Sequence, residues 1–482
     1  MSDIRYVCLS DLHFGAENSI LTHLAANSVE ADPRAPTAVL IGLLECLDAL
    51  ISRNQDSHRP TLILCGDILE LALATDNIAA MAFDRFIDLA FNPGHRLFDN
   101  RIYFVPGNHD HHLWESAREQ QYATYVSSVS PDVDLEIPWH TTRMFAQTDS
   151  RSVDAILLSA LIHRHPGCAD ISVQTVYPNL ALRTDDGRRC AVVHHGHFLE
   201  SIYRLMTTVK DMAFPGRPAR PDIWDWEAEN FAWIDFLWST LGRSGDAGKD
   251  VGLIYASFQS DFAMHRLARN LAAGISARLS GPWLWRQVER RLVQVATDRI
   301  AADVGRLERS QPTVVLTPRG EQALRGYIEG PLRRQFAAEH HEPPEELIFI
   351  FGHTHKPFEQ MLVNTSYTRV DVYNTGGWVV DTLQPVPLQG GAAILLDADL
   401  NAVSLRLYNQ ALDGTPSSVR LAVSDPRVDN PLYRRLLPAV DAGAGWAGFT
   451  QAASTLVAER YHDLEVILRL RGELPTDRHP NA

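Results

Sequence analysis

The sequence predicts an α/β fold in which short buried strands alternate with amphipathic helices and end in polar turns. Three observations carry this reading. Apolar runs of four to six residues recur at Ile4 to Leu9, Thr61 to Cys65, Ile102 to Val105, Cys190 to Val193 and Leu347 to Phe351, and their bounded, β-branched and aromatic character is that of buried strands. Helical periodicity separates the early runs, first from about Pro36 through Leu40, Leu43, Leu44, Leu47 and Leu50, then from Ile78 to Leu89. Each run also ends in a turn carrying Asp, Asn or His, at the carboxyl end where sheet-based enzymes keep their chemistry.

At 482 residues the chain is long enough for one large domain with insertions or for two or three modules. Hydrophobic residues make up 45% and charged residues 21%, an ordinary globular balance. A formal charge of −15 argues against a long nucleic acid as the main partner, because such proteins need a broad basic surface. Met1 to Val7 runs straight into the first strand, without the charged and apolar regions of a leader. No apolar stretch approaches a membrane span. Cys8, Cys46, Cys65, Cys168 and Cys190 are odd in number and lie mostly in apolar runs, so they read as buried free thiols of a cytoplasmic protein.

The first strand ends in Ser10-Asp11-Leu12-His13. On an extended backbone Asp11 and His13 project on one side and can grip one metal. The second strand ends in Gly66-Asp67, where glycine permits a tight turn. Taken alone, D-x-H is common by chance and Gly-Asp is a plain turn. The third strand leads through Pro106-Gly107 into Asn108, His109 and Asp110, an amide oxygen that can ligate, an imidazole that can carry a proton and a carboxylate that can hold the imidazole.

Further strands are expected at Ala155 to Ala160 and Leu180 to Arg183, with His163 and His165 between them as surface or supporting residues. The strand Cys190 to Val193 ends in His194-His195-Gly196-His197, and at least one of these histidines reads as a ligand. From 198 to 346 long helical periodicity takes over, including Trp226 to Trp238, Phe258 to Leu271 and Trp283 to Ile300, with breaks at Pro215 to Pro221 and Gly242 to Lys249. This segment reads as a helical cap inserted between core pieces 1–197 and 347–410. Its tryptophans between Trp224 and Trp238 read as cap core, with an apolar ligand or membrane surface as the other use. The core resumes with Leu347 to Phe351 and Gly352-His353-Thr354-His355. Thr368 to Tyr373, Trp378 to Val380, Gly391 to Leu396 and Ala402 to Leu407 read as antiparallel strands completing a second sheet. A helical extension, 411–482, closes the chain, with a polar, proline-containing end expected to be mobile.

Oxygen and imidazole ligands without thiolate suit manganese, iron or zinc, with manganese favoured. There are too many ligands for one tetrahedral ion, and two ions sharing Asp67 fit the count. Such a site stays cationic and welcomes phosphate. Two ions can hold a hydroxide between them for in-line attack on phosphorus.

The order D-x-H, G-D, G-N-H-D, H-G-H, G-H-T-H closely resembles the calcineurin-like metallophosphoesterase superfamily. That resemblance implies a four-layered α-β-β-α sandwich. It implies one ion held by Asp11, His13, Asp67 and His355 and a second held by Asp67, Asn108, His195 and His353. His109, held by Asp110, would protonate the leaving oxygen or stabilise the transition state. His197 would face phosphate or support the ligands, and His194 would pack beneath its strand. Ile68-Leu69-Glu70 after Asp67, and Asp110 after His109, are unlike the protein serine/threonine phosphatase branch. The wording is similar to that of bacterial phosphodiesterases, including UDP-diacylglucosamine pyrophosphate hydrolases, although this insertion is longer and those enzymes often carry arginine at the place of His109. The expected function is therefore phosphodiester hydrolysis, on nucleotide or lipid-linked substrates. A nuclease for single-stranded or short nucleic acid, with Arg286, Arg290 and Arg291 in a small groove, is one alternative. A non-catalytic metal-containing scaffold that binds a partner through the cap is another.

Overall fold

The structure is a computed structural model that describes residues 3–146, 153–214, 216, 222–240, 308, 311–411, 415–443 and 445–470. The periodicities expected at Phe258 to Leu271 and Trp283 to Ile300, the break at Gly242 to Lys249, the three groove arginines and the polar end of the chain lie outside these residues.

Two sheets stack face to face. The larger has, in spatial order, Arg420–Ala422, Ala402–Asn409, Gly390–Leu396, Tyr6–Leu9, Thr61–Cys65, Arg101–Val105, Ser172–Thr175 and Val153–Asp154. The smaller has Asn179–Arg183, Arg189–His194, Glu346–Phe351, Arg369–Asn374 and Phe358–Leu362. Successive side chains of a strand point to opposite faces, and here each face has its own apolar partner. Leu62, Leu64, Ile102 and Phe104 face the helices outside the larger sheet. Ile63, Cys65, Tyr103 and Val105 meet Ala191, Val193, Ile348 and Ile350 between the sheets. Val192, Leu347, Phe349, Val370 and Val372 face a second helical layer. Helix, sheet, sheet and helix therefore lie in succession, and the continuous apolar runs follow from burial on both faces.

Tyr6–Leu9, Thr61–Cys65 and Arg101–Val105 run parallel, as do Arg189–His194 and Glu346–Phe351. A parallel pair needs a crossover. Helix Ala38–Ile51 supplies the first one, and its N-cap Thr37 hydroxyl accepts from Leu40 N at 3.1 Å. Its buried residues include Leu40, Leu43, Leu44, Leu47 and Leu50, the stripe read from the sequence.

Four sequence expectations are corrected. The run around Ala155 to Ala160 is not a strand but the helix Ile156–His163. It buries Leu158, Leu161 and Ile162, and this spacing of three and four was hidden in a run apolar all round. Gly390–Leu396 and Ala402–Asn409 join the larger sheet, antiparallel to Tyr6–Leu9 and to each other, rather than the second. Trp378 to Val380 forms no strand, Val379 making only an isolated bridge to Ser19. Arg369–Asn374 does lie in the second sheet but runs parallel to Glu346–Phe351.

Helices Ile223–Ile234, Pro318–Tyr327 and Arg333–Ala338 supply Ile234, Leu324, Tyr327 and Phe336 to the outer cluster over the smaller sheet. At the other side of the molecule, Ala447–Leu470 packs Phe449, Ala453 and Val457 into the cluster shared with helix Ala38–Ile51. All five cysteines are free and buried. Among the described residues no helix is long and apolar enough to cross a membrane. Because Phe449 is 2% exposed, Phe449→Ala is expected to destabilise the protein by about 3–5 kcal/mol through lost burial and a cavity. A lowered urea midpoint checks this.

Candidate metal centre

The parallel strands of both sheets end at one edge, and there the turns converge. Asp11, His13, Asp67, Asn108, His109, Asp110, His195, His353 and His355 are all buried. Three groups of side chains, Asp11 with His13 and His355, His13 with Asp67 and His109, and Asp67 with His195 and His353, each bring candidate ligand atoms within 4.8 Å of one another.

The backbone accomplishes this in a way the extended reading of D-x-H did not foresee. Asp11, His13, Asp67, His353 and His355 have φ of 50°, 46°, 53°, 68° and 56°. Left-handed backbone is uncommon for residues with a Cβ and clusters at functional sites. The turns hold one another in this form: Asp11 N donates to Gly66 O at 2.9 Å, His13 N to Asp67 O at 2.9 Å and Gly352 N to His195 O at 2.8 Å. Glycine is required where they cross. A Cβ on Gly66, itself at φ 77°, would overlap the His195 ring, and one on Gly352 would overlap the Asp11 carboxylate.

Asp67 lies at the centre. Its Oδ2 is 3.8 Å from His13 Nε2 and 3.2 Å from His195 Nε2, while Oδ1 accepts from His109 N at 2.8 Å. Asn108 Oδ1 is 3.1 Å from His195 Nε2. On the Asp11 side, His355 Nε2 stands 3.3 Å from Asp11 Oδ1.

Each histidine is oriented through its other nitrogen, an arrangement common around metal ligands. His13 Nδ1 donates to Glu70 Oε2 at 2.8 Å. His355 Nδ1 donates to Asp381 Oδ2 at 2.6 Å. His195 Nδ1 donates to Cys65 O at 3.2 Å, and His353 Nε2 donates to Glu200 Oε2 at 3.0 Å. Among the described residues His13 Nε2 is buried without a hydrogen-bond partner, which fits a ring nitrogen kept for an ion. Glu70, Glu200 and Asp381 were not singled out from the sequence. Only Glu70, three residues after Asp67, stood beside a motif.

The role expected of Asp110 is corrected. Its two oxygens accept from Gly107 N and Ile68 N, each at 2.7 Å, so it ties the second and third turns together. His109 Nδ1 instead donates to Glu70 Oε1 at 2.9 Å, so Glu70 orients both His13 and His109. The His197 ring lies 5.7 Å, centroid to centroid, from that of His195. Its Nε2 lies 3.1 Å from Tyr177 Oη, and its ring stacks on that of His194. His194 packs against Tyr327 and Phe349. His163 donates to Ile171 O, and His165 meets Asp84 and Asp88.

Burial opposes ionisation of Glu70, yet His109 and His13 bring its pKa down to about 2. Burial likewise opposes charge on His195 and His355, but Asp67 raises the first to about 9, and Asp381 with Asp11 raises the second to about 9. Burial and the Asp67 charge push Asp110 up to about 6. Burial keeps His194 and His197 neutral, their pKa values well below the usual histidine range.

Residues 4–204 match the family model described as calcineurin-like phosphoesterase. No curated protein matches the chain. The matched residues include every site motif except Gly352-His353-Thr354-His355, which the fold brings to the others.

Three outcomes are expected. An ion must displace the protons that His195 and His355 hold up to about 9, so chelator competition should show metal affinity falling by roughly tenfold per pH unit per displaced proton as pH drops from 9 toward 6.5. Without metal, the sign of the stability change reverses. Raised folded-state values stabilise fully below the unfolded value of about 6.5, and that stability is lost as pH climbs through about 9. Separately, Glu70→Gln should weaken metal binding by about 10–100-fold by releasing the ring orientation, read by the same competition.

Proposed function

We propose that this chain, whose residues 4–204 match the calcineurin-like phosphoesterase model, is a metal-dependent phosphodiesterase with two divalent ions. Asp11, His13, Asp67 and His355 would hold one ion, and Asp67, Asn108, His195 and His353 the other. The observation that carries the reading is Asp67 Oδ2, placed between His13 and His195 so that one carboxylate can serve both sets.

Bound there, two divalent ions of the manganese, iron or zinc class, manganese favoured, would supply charge for the phosphate oxygens and lower the pKa of the attacking water. The chain's own residues do the rest. Glu70 fixes the tautomer of His109, so with Nδ1 committed, Nε2 is the atom assigned to the leaving oxygen. The Asp67 bond to His109 N ties that ring's backbone to the ion pair. Asp110 holds the two turns in register rather than handling a proton. Segment 198–346 is assigned as a cap over the substrate, in support of which its first residues bring Glu200 onto His353. The diester preference rests on the likeness of Ser10 to His13 and Gly66 to Glu70 to bacterial phosphodiesterases. A cytoplasmic setting is supported by five free buried thiols.

On manganese-loaded protein, bis-p-nitrophenyl phosphate should be cleaved faster than p-nitrophenyl phosphate. Asp67→Asn should abolish both activities, and faster monoester cleavage would overturn the diester assignment. His109→Ala should keep the metal content but lower kcat by about 100-fold or more, the usual contribution of a proton-transfer group. An unchanged kcat would remove His109 from that role.

A further inference from the structure

A second cluster of metal-ligating side chains lies outside the centre just described. His111 and Glu115 stand one turn apart on helix His111–Ser128, and Glu227 faces them from helix Ile223–Ile234. One ligand atom from each lies within 4.8 Å of the others. His111 and Glu227 are fully buried, and Glu115 is 7% exposed.

We infer that His111, Glu115 and Glu227 form a third divalent-cation site, of the zinc-binding class, that staples the helix carrying Glu227 to the core. Imidazole nitrogen with carboxylate oxygen is a donor set that zinc accepts.

Internal pairing leaves the cluster incomplete. His111 Nε2 donates to Glu227 Oε1 at 2.8 Å, and Tyr177 Oη donates to Glu227 Oε2 at 2.8 Å. Arg118 donates to Glu115 Oε2. After these bonds, Glu115 Oε1 and His111 Nδ1 remain buried without a hydrogen-bond partner among the described residues, a costly condition for polar atoms in an apolar surrounding. Asp235 Oδ1, the carboxylate beyond, is 3.8 Å from His111 Nδ1. Asp235 also meets His112 Nδ1 at 3.1 Å, so Glu115 and Glu227 are left to share Arg118 and whatever charge His111 carries. Burial opposes a charge on His111, but Glu227 and Asp235 raise its pKa to about 10, while burial pushes Glu115 up. A divalent ion would replace the ring proton and let Glu115 ionise, setting Glu115 and Glu227 against one ion and Arg118 while Asp235 keeps His112.

The site has a route to the phosphoesterase centre. Tyr177 Oη, bonded to Glu227, also accepts from His197 Nε2 at 3.1 Å. His197 lies just past the loop that presents His195. A filled site would therefore fix both the Glu227 helix and that loop.

The test is zinc content by plasma mass spectrometry of the full chain after stripping, reloading and exhaustive dialysis. Asp67→Asn, which removes the carboxylate assigned to both ions of the first centre, is the background. In that background Glu115→Gln is expected to lose one zinc per chain. Equal zinc with and without Glu115→Gln, in variants whose circular dichroism matches, would overturn the inference. Should Glu115→Gln fail to fold, zinc-edge anomalous scattering from the zinc-loaded wild-type chain decides. A peak among His111, Glu115 and Glu227 supports the site, and none there refutes it.

Discussion

A carboxylate buried between the ends of two sheets must be compensated where it stands, and Asp67 sets that constraint on this molecule. Burial alone would drive it toward the neutral acid, yet His195, His109 and His13 hold its pKa well below the usual carboxylate range. Those three rings come from strand ends of both sheets, so the stacking of the sheets and the charge on Asp67 are mutually dependent. The left-handed backbone of five site residues and the bare glycines at Gly66 and Gly352 are consequences of packing so many turns around one group.

The outer carboxylates extend the same logic. Glu70 accepts from His13, His109, Ala72 N and Leu73 N. One ionised side chain therefore orients the rings of both His13 and His109 and caps a turn. Asp381 and Glu200 do the corresponding work for His355 and His353. Removing one partner of a buried charged pair leaves the other uncompensated, which typically costs about 3–5 kcal/mol. Ligand geometry and local folding are for this reason one problem, and metal binding exchanges protons rather than filling a neutral cavity.

The helices near residues 198–346 link packing to chemistry in a second way. Their apolar faces cover the smaller sheet through Ile234, Leu324, Tyr327 and Phe336. Their polar residues reach inward, Glu200 to His353 and Glu227 to His111 and Tyr177. A segment that reads as an insertion thus supplies an outer layer of the sandwich and partners for the histidines beneath it. Trp238 is 1% exposed and Trp226 and Trp233 pack at the edge of that cluster, so these tryptophans serve packing.

Much was legible in the residues alone. A strand that ends in a turn is a local event, so Asp11, His13, Asp67, Asn108, His195, His353 and His355 could be picked out as the polar residues at the ends of apolar runs. Their meeting at one edge is a consequence of parallel strands, whose carboxyl ends share a side. The partners of those residues were not legible. Glu70 is close to Asp67 in the chain, but spacing does not reveal that its two oxygens reach histidines from two other turns, nor that Asp110 would be taken by Gly107 and Ile68 instead of His109. Glu200 and Asp381 stand in no motif. The helix at Ile156–His163 and the sheet membership of Gly390–Leu396 were likewise set by what packs against them. The residues alone carried the alternating α/β pattern and the kinds of polar side chain gathered at the sheet edge, because both are written in short stretches of chain. Only the tertiary structure decided which carboxylate orients which ring, because that depends on distances between turns far apart in sequence and on the cost of leaving a buried charge unpaired.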